Sequence, residues 1–211
     1  MKNSAGKPIL LKIVTAIQQN KDYLSEIDGL IGDGDHGMNM NKGFTMFGEQ
    51  IREKEIGFTD GLNDLGNVLF SQIGGSMGPI YGSIFMSMAE AGETTQEIDL
   101  NVFATMLGSG LSALQEVVQA QVGDKTLIDT LVPANDIVQK SVKEGKSFAD
   151  ALNEMKIAAE TGRDSTKDLV AKFGRSSRLG ERSRGVLDAG AVSCCLILCA
   201  MADGILEQIG N

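Results

Sequence analysis

Residues 26–41, Glu26-Ile27-Asp28-Gly29-Leu30-Ile31-Gly32-Asp33-Gly34-Asp35-His36-Gly37-Met38-Asn39-Met40-Asn41, gather three aspartates, four glycines and the only histidine of the chain. Asp33 and Asp35 flank a single glycine, so an extended backbone would send both carboxylates to one side, with Asp28 folding back to meet them. Three carboxylates held that close repel one another unless a cation neutralises them. An all-oxygen donor set suits a hard ion such as Mg²⁺ or Ca²⁺ rather than zinc. Gly32, Gly34 and Gly37 satisfy G-x-G-x-x-G by letter, but aspartates in a dinucleotide loop would repel the pyrophosphate, and no strand-like run precedes them. A calcium EF-hand needs a bidentate Glu at the twelfth position from Asp33, where Phe44 stands. The plain alternative is a solvated Asp-Gly turn. Because Mg²⁺ shares its ligands with substrate phosphates, the metal reading brings a nucleotide with it.

Two other stretches suit phosphate. Gly74-Gly75-Ser76-Met77-Gly78-Pro79 separates two helical patterns, and a helix N-terminus with glycines offers free N–H groups and the positive end of a dipole. A plain helix-helix turn would use the same residues. Residues 174–191 carry Arg175, Arg178, Arg182 and Arg184 among glycines and serines. Guanidinium groups bind phosphate bidentately, so the stretch suits a loop that gathers anions, or else a solvated basic turn. Gly123-Asp124-Lys125-Thr126 looks like part of a Walker loop, but the required upstream glycines are missing and the match fails.

The elements that would position these stretches read as helices throughout. Apolar residues recur at helical spacing in residues 8–20, 43–54, 62–73, 80–91, 100–120, 135–144, 148–159 and 191–209, and no alternation of period two occurs. Phe58-Thr59 is expected to staple and cap one helix, and Ser147-x-x-Asp150 to cap another. One all-helical domain over residues 1–211, of about eight helices, follows.

The 211 residues carry a formal charge of −9 and a hydrophobic content of 42%, enough for a full core. The acidic balance, without a basic stripe, argues against nucleic acid or an anionic membrane as partner. Lys12 interrupts the first apolar run, and the most apolar window, residues 189–202, is too short to cross a bilayer, so a cytoplasmic protein is expected. Cys194, Cys195 and Cys199 all lie in that window and read as core, with Cys195 and Cys199 on one face.

Four ordered blocks together resemble the nucleotide-binding L subunit of the dihydroxyacetone kinase family: Asp28 with Gly32-Asp33-Gly34-Asp35-His36-Gly37-x-Asn39-Met40; Gly74-Gly75-Ser76-x-Gly78-Pro79-x-Tyr81-Gly82; Gly123-Asp124-Lys125-Thr126 with Asp129 and Pro133; and Leu179-Gly180-Glu181-Arg182-Ser183 with Asp188-x-Gly190-Ala191. The resemblance implies a barrel of eight antiparallel amphipathic helices with the nucleotide across the loops at one end. It implies that Asp28, Asp33 and Asp35 hold two Mg²⁺ ions on the phosphates of ADP or ATP and form the catalytic centre. It places His36, Gly37, Met38 and Asn39 along the nucleotide, Gly75, Ser76 and Met77 at phosphate, and Leu127 on the base, with Arg175, Asp188, Ala189 and Gly190 closing the site. Phosphoryl transfer would then go to dihydroxyacetone held covalently on a separate K subunit, with the nucleotide either recharged in place by a phosphohistidine protein or replaced as ATP. A homodimer or hetero-oligomer is implied. Met77 and Asp188-Ala189-Gly190 depart from the family's usual pattern, which keeps a related ketose such as erythrulose as an alternative; nucleotide-dependent control of a transcription factor is another.

Overall fold

A computed structural model describes residues 1–210. Nine α-helices follow in order: α1 (Lys7–Gln19), α2 (Lys21–Ile31), α3 (His36–Ile51), α4 (Phe58–Gln72), α5 (Met77–Gly92), α6 (Leu100–Val117), α7 (Ile128–Glu144), α8 (Phe148–Ser165) and α9 (Ala189–Ile209). Short 3₁₀ segments occupy Asn3–Ala5, Thr166–Asp168 and Arg175–Ser183. The described residues contain no strand beyond a single bridge between Lys2 and Glu97. The all-helical reading therefore holds.

Each helix forms because its apolar residues recur at three and four positions and so share one face. In α1 these are Ile9, Leu10, Ile13, Val14 and Ile17, all buried. Helices α1 and α3 to α9 pack each on the next, and α9 returns to α1, so the succession of neighbours closes on itself. Between them lies one core, in which Phe44, Phe47, Phe58, Phe85 and Phe103 are fully buried. Helix α2 packs on α3 and α9 and touches the 3₁₀ segment Arg175–Ser183.

Helix α2 is the largest departure from the sequence reading, which led from the first helix straight into an acidic loop. Leu24, Ile27 and Ile31 are spaced to bury on one face, and that packing outweighs the cost of Gly29 in a helix. The irregular part shrinks to residues 32–35. The close approach of α2 and α3 depends on Gly37, where a Cβ would fall 2.0 Å from the Lys21 carbonyl oxygen and 2.7 Å from the Ser25 backbone nitrogen.

Other boundaries shift for similar reasons. Helix α7 begins at Ile128 rather than 135, because Ile128 and Leu131 extend its buried face ahead of Pro133. Helix α6 stops at Val117, short of the expected 120. Thr59 does not cap α4: it lies inside the helix, and its N–H and hydroxyl bond to Asn3 instead. Ser147 does cap α8, accepting the Asp150 N–H at 3.0 Å. The C-terminal helix runs from Ala189 to Ile209, long and apolar enough to cross a bilayer by length and composition, yet most of it is buried against the other helices. The helix expected over residues 191–209 starts two residues earlier, with Asp188 as its cap, and it carries the apolar character beyond the 189–202 window that alone is too short to cross a bilayer. Cys194 and Cys195 are buried and Cys199 partly so, all as free thiols, with Cys195 and Cys199 on one face.

Candidate functional site

The turn between α2 and α3 is tight because Gly34 takes the left-handed conformation, at φ 77°. Asp35 follows at φ −90° and ψ −10° and starts α3, so the extended backbone expected for Asp33 to Asp35 is not what brings the carboxylates together. Asp28 contributes from the last turn of α2, and its carboxylate accepts the His36 N–H at 3.3 Å. A carboxylate oxygen from each of Asp28, Asp33 and Asp35 can be found within 4.8 Å of the others. The donors are all oxygen, Asp33 and Asp35 are exposed, and a hard divalent cation fits that set.

The cluster borders a cavity of about 590 Å³ at the end of the bundle where the turn after α2, the start of α5, residues 117–128 and residues 173–190 meet. Four helices begin on it: α3, α5, α7 and α9. Neither α3 nor α5 has a side-chain cap, whereas Asp188 caps α9 by accepting the Ala191 N–H at 2.8 Å. Helix N-termini converging on one space favour an anion there. Burial raises the Asp188 carboxyl to about 6, against the lowering effect of the Ala191 N–H and of Lys125. Burial also lowers His36 to about 4, so its ring is neutral at pH 7.

The far wall is built around Lys125, a non-glycine residue with positive φ at 62° and a side chain only 1% exposed. Its ammonium donates to the carbonyls of Thr166 and Val186, and burial lowers its pKa from the ordinary lysine value. Asp129 shapes the same loop by accepting the N–H groups of Gly123 at 2.6 Å and Thr126 at 2.8 Å. Asp124 accepts the Gln121 N–H and pairs with Lys172 at 2.6 Å. The Gly-Asp-Lys-Thr stretch is thus a folded brace whose lysine ties three segments together, in keeping with the failed Walker match.

Of the residues singled out in the sequence, Asp28, Asp33, Asp35, His36, Ser76, Met77, Leu127, Arg175, Asp188, Ala189 and Gly190 all line this cavity. Gly37 instead packs against α2, Met38 is 55% exposed, and Asn39 and Gly75 lie beside the cavity in sequence but do not line it. Of the four arginines in residues 174–191 only Arg175 lines the cavity, where it contacts the Asp33 carboxylate. Arg184 binds Glu181 and the Asp168 carbonyl, away from it. Sequence reasoning assigned no role to Tyr81, Ser193 or Lys125. Tyr81 and Lys125 stand inside the quoted blocks, so their positions were flagged; Ser193 carries no sequence signal at all, since a serine in an apolar helix reads as filler.

The model of the DAK2 domain matches residues 30–203. The chain belongs to the DAK2 domain family. Among its relatives is the PEP-dependent dihydroxyacetone kinase, ADP-binding subunit DhaL, of Escherichia coli (strain K12), 36% identical over 184 residues that cover 86% of this chain and 87% of that one. The L-erythrulose kinase of Pectobacterium atrosepticum is 30% identical over 202 residues, 94% of this chain but 33% of that longer protein. The DAK2 fold also superposes on the dihydroxyacetone kinase of C. freundii in complex with AMP-PNP and Mg²⁺, with a TM-score of 0.72 at 20% identity, covering 96% of this chain and 34% of that one.

Proposed function

We propose that this DAK2 chain is the ADP/ATP-binding subunit of a dihydroxyacetone kinase. The observation that carries the reading is the convergence of three carboxylates and four helix N-termini on one cavity, an arrangement that suits a cation and an anion side by side. Asp28, Asp33 and Asp35 would hold two Mg²⁺ ions, which when bound neutralise phosphate charge. Met77 and Gly78 at the start of α5, with Ser76, suit the phosphates; Pro79 has no N–H to offer. Leu127 and Ile80 supply apolar surface for a base, and Arg175 stands where it can leave Asp33 for a phosphate oxygen. Phosphoryl transfer needs charge neutralisation and alignment more than covalent help, and the described residues on this cavity supply those.

The acceptor would be dihydroxyacetone on a separate K subunit. The Escherichia coli relative, a PEP-dependent kinase's ADP-binding subunit, supports recharging of bound ADP by a phosphohistidine protein, and the erythrulose kinase relative keeps a four-carbon ketose as the alternative acceptor. Native mass spectrometry of the purified chain, with acid release and identification of the bound molecule, tests the reading. ADP retained with Mg²⁺ supports it. A chain that carries no nucleotide and binds neither ADP nor ATP with Mg²⁺ would refute it.

A further inference from the structure

His36 and Tyr81 line the cavity and meet Ser193 behind its wall, one residue from each of α3, α5 and α9. His36 Nε2 lies 2.8 Å from Ser193 Oγ, and the Tyr81 hydroxyl lies 2.6 Å from the same oxygen. Both hydroxyls also reach the Gly190 carbonyl, Ser193 at 3.1 Å and Tyr81 at 3.2 Å. Ser193 is fully buried, Tyr81 is 3% exposed and His36 8% exposed. A serine hydroxyl has one proton and two lone pairs, and all three are used when Ser193 donates to the Gly190 carbonyl and accepts from the Tyr81 hydroxyl and from His36 in its Nε2-protonated tautomer.

These three side chains do not belong to one element, and each lies close to a different part of the site. His36 opens α3 directly after Asp35, and its N–H meets the Asp28 carboxylate. Tyr81 lies one turn into α5, whose start carries Ser76 and Met77. Ser193 lies one turn into α9, whose start carries Asp188 and Gly190. Any slide of α3 against α5 or α9 would break a buried hydrogen bond at the junction, which makes the spacing between the carboxylate cluster and the two other helix starts a discrete setting.

We infer that His36, Tyr81 and Ser193 form a positioning network that sets the distance between the metal-binding carboxylates and the phosphate-binding helix starts, so that a cation and a nucleotide engage together. Ser193 does not line the cavity, so it acts through its neighbours rather than on the ligand. The inference rests on the nucleotide reading above and names residues for it. Without the network the carboxylates and the helix starts remain, but a metal bridging from one to the other meets a mismatched gap, and displacements of about 1 Å are costly in such sites.

The test is a double-mutant cycle on Ser193→Ala and Tyr81→Phe, each removing one hydroxyl and little volume. Binding of ADP is measured by calorimetry with and without Mg²⁺, and thermal stability is recorded alongside. The expected result is that each single variant weakens Mg²⁺-dependent ADP binding about tenfold, leaves binding without Mg²⁺ unchanged, and that the double variant is no worse than the weaker single one. A structural role alone would lower the melting temperature and leave the Mg²⁺ dependence as it was. Should the unmodified chain bind Mg²⁺ and ADP and both variants match it, or should the two losses add in full, the positioning role is overturned. Should the unmodified chain bind no Mg²⁺ and ADP, the nucleotide reading falls, and this inference with it.

Discussion

Each of the three aspartates contributes from a different backbone setting: Asp28 from inside a helix, Asp33 from a turn, Asp35 from a helix start. A single carboxylate-to-amide change removes one negative ligand without altering volume. Asp33→Asn or Asp35→Asn is therefore expected to abolish Mg²⁺-dependent nucleotide retention while circular dichroism shows the helical content intact; retention at the unmodified level would refute the metal role. Lys125→Met tests the brace. It leaves the Val186 carbonyl without its donor and the Thr166 carbonyl with the Leu169 N–H alone, and is expected to lower the unfolding free energy by about 1–3 kcal/mol in urea titrations. The pH dependence divides between two residues of opposite sign. His36, lowered from 6.5 to about 4, binds fewer protons folded than unfolded, so its contribution is full above pH 6.5 and is lost as pH falls towards 4. Asp188, raised from 3.8 to about 6, binds more protons folded than unfolded, so stability is lost as pH rises through that range. The two slopes oppose each other between about pH 4 and 6. Asp188→Asn removes one of them, and the variant's stability is expected to climb from pH 4.5 to 6.5 more steeply than that of the unmodified chain, measured by denaturant unfolding without metal.

At the scale of elements, the site depends on how closely two helices approach. Gly37→Ala would place a methyl carbon against the Lys21 carbonyl and the Ser25 N–H, backbone groups that cannot swing aside. The substitution is expected to cost about 1–3 kcal/mol of stability and to weaken Mg²⁺ binding as well, since α2 carries Asp28 and α3 follows Asp35. Asp99→Ala offers the contrast: Asp99 caps α6, accepting the Val102 N–H at 2.9 Å, and does not line the cavity. It is expected to cost about 1 kcal/mol and to leave nucleotide binding unchanged, as calorimetry would show. Loss of binding in that variant would mean that helix stability in general, and not the α2–α3 contact, governs the site.

For the whole molecule, every wall of the cavity comes from a different part of the chain, held by one core. A ligand that joins those walls stabilises the folded state alone. Mg²⁺ with ADP at a hundred times its Kd is expected to raise the unfolding free energy by about 2.7 kcal/mol, and excess EDTA to return it to the starting value. No change in the melting curve would argue that nothing bridges the walls. The formal charge of −9 acts at the same scale, because an acidic surface repels a free nucleotide, and on the proposed function its attraction would fall to a bound cation and Arg175.

Much of this was legible from residues alone. Helical periodicity needs only the local spacing of apolar groups, so the all-helical class and most helices follow from it, and the residue types and proximity of Asp28, Asp33 and Asp35 announce a carboxylate cluster suited to a hard cation. The acidic cluster was right in its members and wrong in its backbone, because whether residues 21–31 coil or wind depends on what Leu24, Ile27 and Ile31 find to pack on, and those partners lie on α3 and α9. Which arginine faces the cavity, why Lys125 is buried, and the meeting of His36, Tyr81 and Ser193 were decided by tertiary structure alone. Ser193 stands 157 positions from His36, and no local pattern encodes a hydrogen bond between residues that only the closing of α9 onto the other helices brings together.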